Sequence, residues 1–190
     1  MLNLPLIASR AAGACALALA LWSPVQAAPV LQMSVVNSAT GIDLTVSAND
    51  VVDLFAYQFT LNFNPSLLTA ISGTEGAFLQ SGGATLFDAG AIDNAAGAVS
   101  FTFGTLLGPV NGVSGSGDLA TFSLAIAQGG LASFSFSDVQ FLDSGLNDIG
   151  IESASLVTQV GQVPEPGSLW LAGIALLAVF GSRAKRPRTC

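Results

Sequence analysis

Asp138, Asp143 and Asp148 recur every five residues, and Asp88 and Asp93 repeat that interval upstream. Carboxylates on loops are the hard oxygen donors that Ca²⁺ prefers, so Asp138, Asp143 and Asp148 are the candidate metal ligands of this sequence. No stretch follows the pattern of an EF-hand loop, and solvated acids on the loops of an acidic domain give the same spacing. Calcium is thus the one cofactor to test. Composition excludes most other chemistry. Between Ala28 and Val163 there is no His, Cys, Lys or Arg. That removes a Ser-His-Asp triad, a cysteine nucleophile and a typical zinc site. Hydrolysis of a glycoside needs only two carboxylates at a set separation, but nothing in the spacing marks a pair. The expectation is a chain that is not an enzyme, without catalytic residues or an organic cofactor.

The charge distribution narrows the partners. All five basic residues lie in the terminal segments, and all twelve acidic residues lie from Asp43 to Glu165. A purely anionic body cannot bind nucleic acid through phosphate contacts, nor an anionic membrane surface through its charge. Recognition of a polysaccharide by ring stacking also has little to work with. The body has no Trp and a single Tyr, Tyr57, which alternation puts on a phenylalanine face. Asn94, Asn111 and Asn147 could hydrogen-bond a glycan, although loop asparagines are common for turn reasons alone.

The two ends are addresses rather than fold. Arg10 precedes an apolar stretch from Ala11 to Trp22, then Ser23-Pro24-Val25-Gln26-Ala27-Ala28. This order predicts a signal peptide over 1–27, cut after Ala27 or, as next choice, Ala28, by signal peptidase. At the other end, 161–168 form a linker containing Pro164-Glu165-Pro166. Residues 169–182 form a short transmembrane helix, and 183–190 a basic cytoplasmic tail with Arg183, Lys185, Arg186 and Arg188. The apolar run Leu169 to Phe180 has 12 residues, against about 20 for an ordinary span, so it suits a transient membrane attachment. Trp170 fits the outer interface and the basic cluster the cytoplasmic side.

The body between these ends, 28–160, reads as β throughout. Ile42, Leu44, Val46 and Ala48 alternate with polar residues. Phe55, Tyr57, Phe59, Leu61 and Phe63 do the same and stop at Asn64-Pro65. Val99, Phe101 and Phe103 repeat the pattern, as do Ala120, Phe122, Leu124 and Ile126, then Phe134 with Phe136, and Val139 with Phe141. Ala154 to Val157 offers a last strand. Glycine-rich breaks at 73–76, 82–83, 108–117 and 129–130 separate them. Many short strands without helical periodicity predict an all-β sandwich, with the phenylalanines packing between its sheets.

Four stretches carry resemblances. Val163-Pro164-Glu165-Pro166, the apolar segment and the Arg-rich cluster resemble a PEP-CTERM sorting signal. That resemblance implies an exosortase as partner, processing near the Pro-Glu-Pro motif, and delivery to the surface or extracellular matrix of a Gram-negative bacterium. The run from Leu54 to Leu68, an alternating strand ending in Asn64-Pro65 and Leu67-Leu68, resembles a cohesin domain. Gly117-Asp118-Leu119-Ala120-Thr121-Phe122 resembles a second strand of that family, and 134–149 fits its closing strands. The cohesin resemblance implies a jelly-roll sandwich of about nine strands and a dockerin-like protein as partner. The expected function is an exported interaction module that recognises protein through one sheet face. The alternatives are a carbohydrate-binding module for matrix polysaccharide and a passive structural matrix protein.

Overall fold

A computed structural model describes residues 27–37 and 41–161. The signal region up to Gln26 and everything from Gln162 onward, including the sorting motif, the apolar run and the basic tail, lie outside the described residues. Ala27 and Ala28 are exposed just ahead of the first strand.

The strands are β1 (Val30–Asn37), β2 (Gly41–Phe63), β3 (Leu68–Glu75), β4 (Thr85–Asp88), β5 (Ala91–Asp93), β6 (Ala98–Leu106), β7 (Val113–Ile126), β8 (Gly130–Asp143), β9 (Glu152–Ser153) and β10 (Leu156–Val160). One short helix, α1 (Ala77–Gln80), interrupts them. The chain is an all-β sandwich, and β2 is its spine. Its first half, from Gly41 to Ala48, runs between β1 and β7, with β3 beyond β7 and β9 beyond β1. Its second half, from Leu54 to Phe63, runs between β6 and β8, with β4 and β5 beyond β6 and β10 beyond β8. The two halves thus belong to opposite layers.

The crossing of β2 between layers uses two left-handed residues, Asp50 (φ 54°) and Asp53 (φ 57°), where the register with β7 shifts twice. Aspartate tolerates this region because its short side chain can bond locally. The displaced backbone is still paired: Asp50 N–H donates to Ser116 Oγ at 3.0 Å and Asp53 N–H to Ser114 Oγ at 2.9 Å. The sequence predicts two strands here; the chain makes one bent strand, because no Gly or Pro breaks it. The predicted 108–117 break is likewise shorter, since Val113 already begins β7, and the last strand is shifted to Leu156–Val160.

Between the layers, Leu31, Leu44, Val46, Phe122 and Leu124 face Tyr57, Phe59, Leu61, Phe134 and Phe141. Phe59 sits at the centre. Its ring stacks on Tyr57 at 6.0 Å and meets the edges of Phe122 at 6.2 Å and Phe136 at 5.4 Å. Tyr57 belongs to this core, as alternation predicts, and its hydroxyl donates to the Leu119 carbonyl at 2.8 Å. Burial, with the Glu75 carboxylate nearby, pushes the phenol above the usual tyrosine range, so it stays neutral. Gly104 makes room for the ring: a Cβ there would lie 2.7 Å from the Tyr57 ring.

Candidate interaction surface

The outer faces of the two layers differ in kind. On the β1–β2–β7–β3 face most outward residues along β2 and β7 are hydroxyls and carboxylates, several of them bonded across strands, with Val36 and Ile71 exposed on the flanking β1 and β3. Ser123 donates to Asp43 at 2.8 Å, Ser47 donates to Asp118 at 2.6 Å, and the Thr45 and Thr121 hydroxyls lie 3.4 Å apart. Groups already paired with each other have less to offer a partner. The β4–β6–β2–β8 face instead carries Phe101, 61% exposed, and Leu86, 52% exposed. Beside them Ala56, Gln58, Phe103, Thr105, Gln140 and Leu142 line a shallow groove of about 170 Å³.

Phe101 and Phe103 reach that face because β6 is bulged. Phe59 pairs with Thr102, but Leu61 pairs with Val99, so Ser100 and Phe101 together oppose Thr60. A bulge of this kind inserts one residue and reverses the facing of everything after it. Val99, Thr102 and Leu106 are consequently buried, while Phe101 points out and Phe103 is half-buried at the groove. This corrects the expectation that Phe101 and Phe103 share the core side of Val99. Two bonds fix the frame. The Thr102 hydroxyl donates to the Ala89 carbonyl at 2.9 Å, and Phe101 N–H donates to Thr60 Oγ1 at 3.4 Å.

The bulge holds Phe101 at φ 59°, a left-handed conformation that costs a bulky side chain roughly 1–2 kcal/mol. β8 is bulged at the same level. Gln58 pairs with Gln140 and Thr60 with Ser137, leaving Asp138 and Val139 opposite Phe59, with Asp138 at φ 52°. This accounts for the parity change in the sequence, where Phe134 and Phe136 pack on one register and Phe141 on the other. Two strained residues thus flank the central strand on the one face that exposes an aromatic ring.

The acids predicted from spacing separate. Asp138 and Asp148 line a depression with Gln58, Val139 and Gln140 at the edge of the same face. Asp143 is engaged in its own loop. Its Oδ1 accepts the Gly145 and Asn147 N–H groups, each at 2.8 Å, and Asn147 Nδ2 donates to both of its oxygens. Asp88 accepts the Gly90 N–H and Asp93 those of Ala95 and Ala96. These bonds serve local turns. Among the described residues no group of three or more His, Cys, Asp or Glu is placed to hold a metal ion. Of the asparagines, Asn94 exchanges two bonds with the Ala70 backbone and Asn147 serves Asp143, while Asn111 is exposed.

Asp53 is the acid that sequence reasoning missed. Its carboxylate accepts the Ser144 hydroxyl at 2.6 Å, the Gly112 N–H at 2.8 Å and the Ser144 N–H at 3.3 Å. One side chain therefore ties the bend of β2 to two loops. The Ser144 hydroxyl, then the Gly112 N–H, hold its carboxyl below the usual carboxylate range, and the Asn147 bonds do the same for Asp143. Both groups have a lower value folded than unfolded, so their contribution is complete above about pH 4 and is lost as pH falls through the folded value. The melting temperature is expected to be flat from pH 7 to pH 5 and to drop below about pH 4. An Asp53→Asn variant, compatible with the left-handed backbone, should show a shallower acid-side drop in a calorimetric pH series.

Strand order and the bend of β2 define a two-layer β-sandwich, and comparison with known proteins gives its family. The cohesin-domain family model matches residues 30–155, and the model of the PEP-CTERM protein-sorting motif matches residues 162–186. The chain belongs to the cohesin family and carries a PEP-CTERM sorting motif. Among solved structures, a non-cellulosomal cohesin from Archaeoglobus fulgidus is similar with a TM-score of 0.57 at 13% identity, covering 76% of this chain and 98% of that one. The sixth cohesin of scaffoldin B from Acetivibrio cellulolyticus, solved with a Cel5 dockerin, gives 0.55 at 19% identity, covering 70% and 99%. A cohesin from a type I cohesin–dockerin complex of Clostridium thermocellum gives 0.57 at 12% identity, covering 70% and 99%. No curated protein matches the sequence significantly.

Proposed function

We propose that this exported cohesin module is non-catalytic and docks a dockerin-like protein on the β4–β6–β2–β8 face. The observation that carries this reading is Phe101, an aromatic ring held outward at a strained bulge beside Leu86 and the Phe103 groove. Exposed aromatics that gather apolar neighbours are typical anchors of protein interfaces. Asp88, Asp138 and Asp148 form an acidic rim that sets which partners are admitted, while the ring and its neighbours supply the binding energy. Several similar cohesins were solved with dockerins, which supports a partner of that type. The sorting motif is processed by an exosortase, and the module is delivered to the surface or exopolysaccharide matrix of a Gram-negative bacterium.

The test uses residues 28–163 as bait, offered the native secretome and purified exopolysaccharide separately, each with and without calcium. Retention of one defined protein is expected. Retention of polysaccharide alone would instead identify a sugar-binding module, and retention of neither would leave a structural role.

A further inference from the structure

A second apolar patch lies on β8 and β10, where the described domain ends. Leu131 pairs with Gln159 and Ser133 with Val157, so these four side chains share one face. Ala132, Phe134 and Val160 turn inward, while Leu131 is 64% and Val157 59% exposed. Diagonal neighbours on an antiparallel pair are within side-chain reach of each other. Val36, also exposed, precedes Asn37, whose side-chain amide donates to the Gln159 carbonyl at 3.2 Å. Ser133, Ser135 and Ser137 continue this face along β8 toward the bulge and keep the patch apart from the Phe101 surface. Nothing in the fold requires large apolar side chains here.

The position of the patch suggests its occupant. β10 ends at Val160, and Pro164 of the sorting motif follows Gly161 by three residues. Three residues span at most about 10 Å, however they are arranged. An enzyme that grips backbone on both sides of Pro164–Pro166 therefore has to abut this end of the sandwich. Val157 and Leu131 lie within about 15 Å of Gly161 along and across the strands. A lipid surface fits less well, because the body has no cation to draw it to anionic headgroups.

We propose that the membrane enzyme processing the sorting motif also bears on the folded sandwich, through the apolar patch of Leu131 and Val157. Recognition is then bipartite: the motif supplies the scissile region, and the patch presents it in a fixed orientation. The proposal rests on the sorting-motif assignment and is separable from it.

The full-length chain, expressed in a host that has the enzyme, is followed by immunoblot for unprocessed precursor. A Leu131→Ser, Val157→Ser double variant is expected to raise the precursor fraction at least threefold, with a melting temperature like wild type because both side chains are exposed. Ten Gly/Ser residues inserted after Gly161 should uncouple the sandwich, so that variant and wild type are processed equally. A Pro164→Ala, Pro166→Ala variant is the control: normal processing of it would overturn the motif assignment. Blocked processing of that control, with wild-type processing of the double variant, would overturn the patch proposal alone. A photo-crosslinking residue at Val157 of the full-length precursor should give an adduct with the enzyme; an adduct with lipid only would overturn it too.

Discussion

Phe101→Asn is expected to abolish partner capture while leaving the melting temperature unchanged or slightly raised. The side chain is 61% exposed, so its loss removes little core packing. The backbone sits at φ 59°, where asparagine is tolerated and phenylalanine is strained by roughly 1–2 kcal/mol. Relief of that strain offsets whatever the exposed ring contributes to the fold. At an interface the balance reverses. Truncating an aromatic anchor typically costs about 2–4 kcal/mol, or roughly 30- to 1000-fold in affinity. A variant that folds at least as well and binds at least 30-fold worse would separate the role of Phe101 in recognition from any role in stability. Weakened binding together with a melting temperature lowered by many degrees would assign the residue to the fold instead.

Phe59→Ala should give the largest loss of stability. The ring is fully buried and touches aromatic rings from both layers, Tyr57 and Phe136 on its own side and Phe122 opposite. Its removal forfeits the transfer free energy of the ring and leaves a cavity that rigid strands cannot close, at about 3–5 kcal/mol. That is a large share of the roughly 5–15 kcal/mol available to a domain of this size. Urea titration is the suitable measurement, with the midpoint falling and the slope unchanged. A loss under about 1 kcal/mol would show that the two layers are not joined through this residue. Phe59→Leu keeps most of the volume and should lie between the two.

Much of the fold is legible in the sequence because period-two alternation survives in long runs. Ile42 to Ala48, Tyr57 to Phe63 and Ala120 to Leu124 all bury the residues that the pattern assigns. The bend of β2 is not legible, since Asp50 and Asp53 do the work usually advertised by Gly or Pro. The proposed docking face is hidden for a related reason. Val99, Phe101 and Phe103 alternate perfectly, and only pairing with β2 shows that an inserted residue turns the two phenylalanines outward. On β8 a trace exists, because packed residues change from even to odd numbers between Phe136 and Phe141. The spacing of Asp138, Asp143 and Asp148 is real but says nothing of direction. Two line one depression, and the third is held by Asn147.

The claim that one face docks the partner is tested most directly by cysteine accessibility. The exported body has no native cysteine between Ala28 and Val163, so a single thiol reports one place. Leu86→Cys lies on the Phe101 face, and Ser34→Cys lies on β1, on the opposite layer; both positions are exposed. With captured partner in excess, maleimide labelling should slow at least tenfold for Leu86→Cys and stay unchanged for Ser34→Cys. Protection of Ser34→Cys with free labelling of Leu86→Cys would contradict the account and move the docking surface to the hydroxyl-rich layer.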